Sequence, residues 1–299
     1  MTEKKHIITR RDFIRSGSCA VMGGLLGLPL VSRAAGQTTR KSRVVLIRNQ
    51  RATEGYGSMN PGVVVQMLDE AVAAVLGTRE PLAAWRKIAN PDDIVGIKSN
   101  VWSRLPTPPE LERAITERLV EAGVDPQNIA VDDRDLAYNP VFKRSTVLIN
   151  IRPMRTHHWS GLGTLLKNYI MFVPQPWKYH GNACERLGAI WQEPHVMGKT
   201  RLNILVMLTP LFHGVGPHHF SRSYIWPYGG LIVSADPVAA DATGARIIQA
   251  KRNEHFAQPR PISPRPLHIE AAYTKFGLGN SHPDGIELIK LGWDEDILI

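Results

Sequence analysis

Basic, acidic and amide side chains recur where this chain's apolar runs end. Residues 94–97 lead into Lys98-Ser99-Asn100, and residues 129–131 into Asp132-Asp133-Arg134-Asp135. Residues 147–151 lead into Arg155-Thr156-His157-His158, residues 203–209 toward His213 and His218-His219, and residues 231–234 into Asp236. In an open parallel sheet, ligands bind in the crevice outside the carboxyl ends of the strands. Five such ends would line one crevice with Lys, Arg, His and Asp. Loops are polar everywhere, which accounts for part of the pattern. Lys98 and Asp236, however, directly follow apolar runs, where burial makes a lone charge costly.

Three further features carry chemistry. Ser160-Gly161-Leu162-Gly163-Thr164-Leu165-Leu166-Lys167-Asn168 places glycines at an expected helix start, where an anion can approach free backbone N–H groups. Lys167 would add a point charge there. The stretch is not a phosphate-binding loop of the Gly-Lys-Ser/Thr kind. In Asp236-Pro237-Val238-Ala239-Ala240-Asp241, Asp236 suits a helix N-cap, whereas Asp241 falls on the apolar face of that helix. A carboxylate there needs a cation, a metal or backbone donors. The histidines lack the spacing of a helical zinc site, and no Gly-x-Ser-x-Gly elbow is present. Asp132 and Asp241 with His157 or His180 form the candidate metal set.

The elements that must position these groups alternate. Strands are expected at 43–48, 94–98, 129–131, 147–151, 203–208, 231–234 and 286–289. Helices are expected at 61–76, 109–122, 161–171, 184–191, 237–250 and 266–276, with long loops at 134–146, 172–182 and 210–229. This order predicts an α/β fold: a mostly parallel, Rossmann-like layered sheet with helices on both faces.

Residues 1–36 predict export. Thr9-Arg10-Arg11-Asp12-Phe13 is a twin-arginine motif, followed by a glycine-rich apolar run and Ala34-Ala35-Gly36. The run is too short to span a bilayer comfortably, so the reading is a signal peptide over 1–36, a polar spacer over 37–42 and an α/β domain over 43–299. Its partners would be the twin-arginine translocase and a signal peptidase, its destination the periplasm, with no membrane anchor after cleavage. Lys4, Lys5, Arg10, Arg11, Arg15 and Arg33 against Glu3 and Asp12 account for four of the nine net positive charges. What remains suits a small anionic ligand and does not argue for nucleic acid. Cys19 departs with the signal and leaves Cys184 alone, which excludes an intramolecular disulfide and a cysteine-ligated iron–sulfur cluster.

Four segments together resemble the domain-of-unknown-function 362 family (DUF362). Lys98-Ser99-Asn100 is similar to its Lys-Pro-Asn, with Ser99 in place of Pro. Arg155-Thr156-His157 with Lys167-Asn168 is similar to its Lys-Thr-His and Lys-Asn, and Asp236 to Asp241 to its Asp-Pro-Val-Ala-x-Asp. Phe276-Gly277-Leu278-Gly279 with Ile286-Glu287-Leu288 is similar to its C-terminal segment. Arg155 keeps the charge of the usual Lys but does not deprotonate. The resemblance implies frequent twin-arginine export and a redox setting, since some relatives carry ferredoxin-like cysteine clusters that this chain lacks. It names no reaction. Residues and resemblance select the same set: His157, Lys167 and Asp241 for catalysis, and Lys98, Asn100, Arg155, Asn168 and Asp236 for ligand binding. The expectation is a periplasmic enzyme or redox-associated protein holding an anionic ligand or a metal-centred cofactor of unknown identity. The rival expectation is a non-catalytic binding or accessory protein for a partner redox enzyme.

Overall fold

Local chemistry sets the first elements of the computed structural model, which describes residues 41–134, 136, 138–214 and 219–299. Strand β1 (Ser42–Arg48) buries Val44 and Leu46 on one face and Val45 and Ile47 on the other. Helix α1 (Pro61–Leu76) starts where the Asn60 side chain accepts the Val63 N–H, with Pro61 placed where its missing N–H costs nothing. It stops at Gly77, whose φ of 62° is left-handed. Helix α2 (Pro81–Ile88) follows, unforeseen in the sequence because eight residues between two turns give little periodicity. Next come β2 (Val95–Lys98), α3 (Pro109–Glu121), β3 (Ile129–Asp132) and the short α4 (Pro140–Arg144), which lies within the expected loop 134–146. The expected signal segment 1–36, with Cys19, and also Asp135 and His218 lie outside the described residues.

Strand β4 (Val147–His157) runs well beyond residue 151 and is followed by β5 (Gly161–Gly163), which folds back antiparallel on its end. The helix expected at 161–171 is therefore a strand, then one turn of helix α5 (Leu165–Asn168), then a 3-10 turn over Tyr169–Phe172. The helix expected at 184–191 is a 3-10 segment, Glu185–Gln192, entered through left-handed Asn182, Ala183 and Cys184. Strand β6 (Thr200–Leu211), strand β7 (Gly230–Ser234), helices α6 (Pro237–His255) and α7 (Leu267–Thr274), and strand β8 (Ile286–Gly292) complete the chain.

The sheet is mostly parallel, ordered β3-β2-β4-β6-β7-β1-β8, with β5 paired to β4. Six strands point one way; β7 opposes both of its neighbours. Helices α1, α2 and α3 cover one face, around Leu68, Trp85 and Ile115. Helices α5, α6 and α7 cover the other, around Leu166, Ile248 and Ile269. Each of these buried apolar side chains contributes about 1.5–3 kcal/mol. The architecture is the layered, Rossmann-like α/β arrangement expected. Among the described residues no single helix is long and apolar enough to cross a membrane.

Candidate functional site

Strand register builds the site's floor. Asp132, Lys98, Asn150, Asn203 and Ser234 are consecutive cross-strand partners on β3, β2, β4, β6 and β7. Lys98, Asn150, Asn203 and Ser234 are fully buried, so each must find hydrogen-bond partners. Asn150 donates to Asn203 Oδ1 at 3.3 Å and to the Leu165 carbonyl at 3.0 Å, and Asn203 donates to the Ala235 carbonyl at 3.2 Å. Above the row sits α5, whose Asn168 amide donates to Asn150 Oδ1 at 2.9 Å and to the Ile151 and Lys98 carbonyls. Asn168 Oδ1 accepts from Lys98 Nζ at 3.3 Å and from Asn100 Nδ2 at 3.2 Å.

Strand β2 ends at Lys98, level with Asn150, while β4 continues to His157. That step opens a crevice of about 190 Å³, lined by Asn100, Trp102, Asp133, Arg134, Arg152, Arg155, His157, Lys167 and Asn168 with Ile170 and Met171. Arg155 donates to Asn100 Oδ1 at 2.9 Å, and its guanidinium lies 4.3 Å from the Trp102 ring centre. Arg152 donates to the Thr164 carbonyl at 3.0 Å. Arg152 Nη2 and Arg155 Nε are buried and without hydrogen-bond partners among the described residues.

Electrostatics follow from burial. Lys98 is drawn down to about 8 by loss of solvent, opposed by Asp133. Its ammonium is fully engaged, with Asp133, the Ser99 carbonyl at 2.6 Å and Asn168. Burial raises Asp133, yet Lys98, the Val101 N–H and Arg152 hold it below its ordinary value. Burial lowers Arg152 to about 10 and pushes Arg155 well down, with Arg152 adding repulsion to Arg155. Lys167, 5 % exposed, is lowered to about 8 by burial, with Arg152 and Arg155 repelling its charge. Burial and the charges of Lys167, Arg155 and Arg152 keep His157 neutral. Its Nδ1 accepts the Trp159 N–H at 3.2 Å, which leaves the proton on Nε2.

The structure thus gathers Lys98, Asn100, Arg155, His157, Lys167 and Asn168 into one site. Two carboxylates go elsewhere. Asp241, expected to act in catalysis or on a metal, accepts the Leu165 and Leu166 N–H groups at 2.9 Å each. It is the anion at the start of α5, and it takes the place expected for a ligand beside Gly161 and Gly163. Burial raises it to about 7 against those bonds. Asp236, expected in the crevice, lies at the opposite end of the strands because β7 runs backward. There it caps α6 through the Val238 and Ala239 N–H groups and receives Ser42 Oγ and the Asn280 N–H.

The metal candidates Asp132, His157, His180 and Asp241 do not converge. Asp132 accepts the Asp133 and Arg134 N–H groups and Asn139, while His180 packs on Trp159 with ring centres 3.9 Å apart. Among the described residues no three His, Cys, Asp or Glu side chains form a metal-holding group. Sequence reasoning missed Arg152, Asn150, Asn203 and Trp102. The signal for the first two was there: Asn150 and Arg152 interrupt an apolar strand two residues apart, on the face of Leu148.

No curated protein and no solved structure matches the chain. A family model does match, over the segment that holds Arg152, Arg155, His157, Lys167 and Asp241 but not Lys98 or Asn100. Over residues 136–246 the chain is similar to the family described as Domain of unknown function (DUF362).

Proposed function

We propose that this is a DUF362-type protein, exported by the twin-arginine route, whose crevice binds a small anion-bearing molecule such as a carboxylate or phosphate. One observation carries the reading. Arg152, Arg155 and Lys167 are all buried around a small cavity whose lining includes Asp133 as its one carboxylate. Lys167 donates no hydrogen bond there among the described residues, and Asp133 is already engaged by Lys98. A buried charge without a full counter-charge is costly, and an anion in the cavity would lower that cost. His157 Nε2–H supplies a neutral donor beside them. Enzyme is favoured over passive carrier because Lys167 lines the cavity with no hydrogen bond to hold it among the described residues, a placement that suits acid–base or nucleophilic work.

Titration calorimetry with inorganic phosphate, sulfate and oxalate at constant ionic strength, with chloride as the control, tests the binding. Saturable heat from at least one of the anions is expected, weakened about tenfold or more by Arg155→Gln; heats no different from chloride refute the reading. Export is tested separately. Residues 1–36 fused to a folded reporter should place it outside the cytoplasm, and changing Arg10 and Arg11 to Lys should retain it inside. Export that survives those changes refutes the twin-arginine assignment.

A further inference from the structure

Resting on the anion-binding reading, we propose that Lys167 is a covalent catalyst, forming an imine with small 2-oxo carboxylates held by Arg152 and Arg155. The two buried lysines of the site differ in kind. Lys98 has all three ammonium hydrogens engaged, by Asp133, the Ser99 carbonyl and Asn168, so it is fixed as a cation. Lys167 lines the cavity, which Lys98 does not, is almost fully buried, and spends none of its hydrogens on a hydrogen bond among the described residues. Burial disfavours its ammonium, Cys184 opposes that, and Arg152 and Arg155 reinforce it. A lysine so placed offers a free lone pair near neutral pH. Asp133, the carboxylate in the cavity lining, is held by Lys98 and the Val101 N–H.

The ligand class follows from the walls. The crevice of about 190 Å³ accommodates a small carboxylate. Arg152 and Arg155, both in the crevice lining, supply the positive field that suits a carboxylate. Lys167 asks for an electrophilic carbon beside it, which a 2-oxo acid has. The Lys167 lone pair attacks the carbonyl carbon and the C=O π pair moves to oxygen. The carbinolamine takes one proton on that oxygen and loses water, and the nitrogen keeps a C=N bond as an iminium. The neutral amine, the carbonyl and one proton thus give the iminium and one water, with no change of oxidation state. His157 Nε2–H, on the same wall, is placed to hydrogen-bond the departing oxygen.

The test is reductive trapping on the whole protein. It is incubated with pyruvate or glyoxylate and sodium cyanoborohydride at pH 7–8, digested, and mapped by mass spectrometry. The expected result is a secondary amine on the Lys167 peptide in large excess over every other lysine, suppressed by oxalate and at least tenfold weaker with acetone. Labelling spread over surface lysines, or unaffected by oxalate, overturns the proposal. So does an unlabelled Lys167 in protein that still binds oxalate by calorimetry, and that outcome leaves the anion-binding reading standing. Absence of labelling together with absence of phosphate, sulfate and oxalate binding refutes the two together. Because the label is read on the unmutated protein, the result does not depend on whether a Lys167 variant folds.

Discussion

Lys167→Met should stabilise the protein while removing its ligand chemistry. The methionine keeps an unbranched apolar stem at a nearly buried position and removes the charge. Lys167 is lowered from 10.5 to about 8, chiefly by burial. At 1.36 kcal/mol per pKa unit, holding it protonated in the fold costs about 3 kcal/mol below pH 8. For a domain of this size, roughly 2–4 °C per kcal/mol converts this into a gain of about 6–12 °C. The pH dependence gives the sharper check. Between pH 8 and 10.5 the native state binds fewer protons at this position than the unfolded chain, so wild-type stability rises with pH across that window. The advantage of the variant should therefore be full below about pH 8, shrink through the window and vanish by about 10.5. Thermal and urea melts of both proteins, in buffers free of multivalent anions, measure it. Other titrating groups cancel in the difference. A variant less stable than wild type at pH 7, or a gap that does not change with pH, refutes the claim that Lys167 is a buried, uncompensated cation.

Two other substitutions test the scaffold. Asp241→Ala leaves the Leu165 and Leu166 N–H groups without acceptors, at about 1–3 kcal/mol each, for a loss of about 2–6 kcal/mol by urea titration at pH 5. Because Asp241 is raised from 3.8 to about 7, its contribution is fullest in acid, and the penalty should shrink as pH rises toward 7. An Asp241→Ala protein as stable as wild type at pH 5 removes the capping role. Gly161→Ala forces a side chain into φ +71° with its Cβ 2.0 Å from the Pro264 carbonyl oxygen. The left-handed backbone alone costs about 1–2 kcal/mol, so a Tm lowered by several degrees and weaker anion binding are expected. An unchanged Tm would show that β5 does not pack there.

Helix α1 was legible to the residue, because its Asn60 cap, its Pro61 start and its Gly77 stop are all local signals. Most of the site was legible for a similar reason, since charged and amide residues that follow apolar strands stand out. What could not be read is what depends on strand direction and register. The five residues of β7, Leu231, Ile232 and Val233 at their centre, carry no mark of which way they run, so the expectation puts Asp236 at the wrong end of the strands. Asn150 and Asn203 meet Lys98 through a register set by distant parts of the chain. Gly161 and Gly163 signalled a tight backbone correctly, but the anion they admit to α5 comes from Asp241, 75 residues beyond the Leu166 amide that it receives.

The charge balance of the cavity limits what can occupy it. Lys98 is matched by Asp133, and Arg152 interacts with both Asp133 and Asp241. Arg155 has a neutral amide and an aromatic ring as its close partners. With Lys167 neutral, one carboxylate in the field of Arg155 and Arg152 completes the site. With Lys167 protonated, the same cavity calls for a second negative charge. A monoanion and a dianion therefore select opposite protonation states of one side chain, and only the monoanion leaves Lys167 a nucleophile. Dianions such as phosphate should bind by filling the place of the reacting group and drawing a proton onto Lys167. On this reasoning a tightly bound dianion is an inhibitor of the site and a 2-oxo monocarboxylate its substrate, a distinction made by the lysine itself.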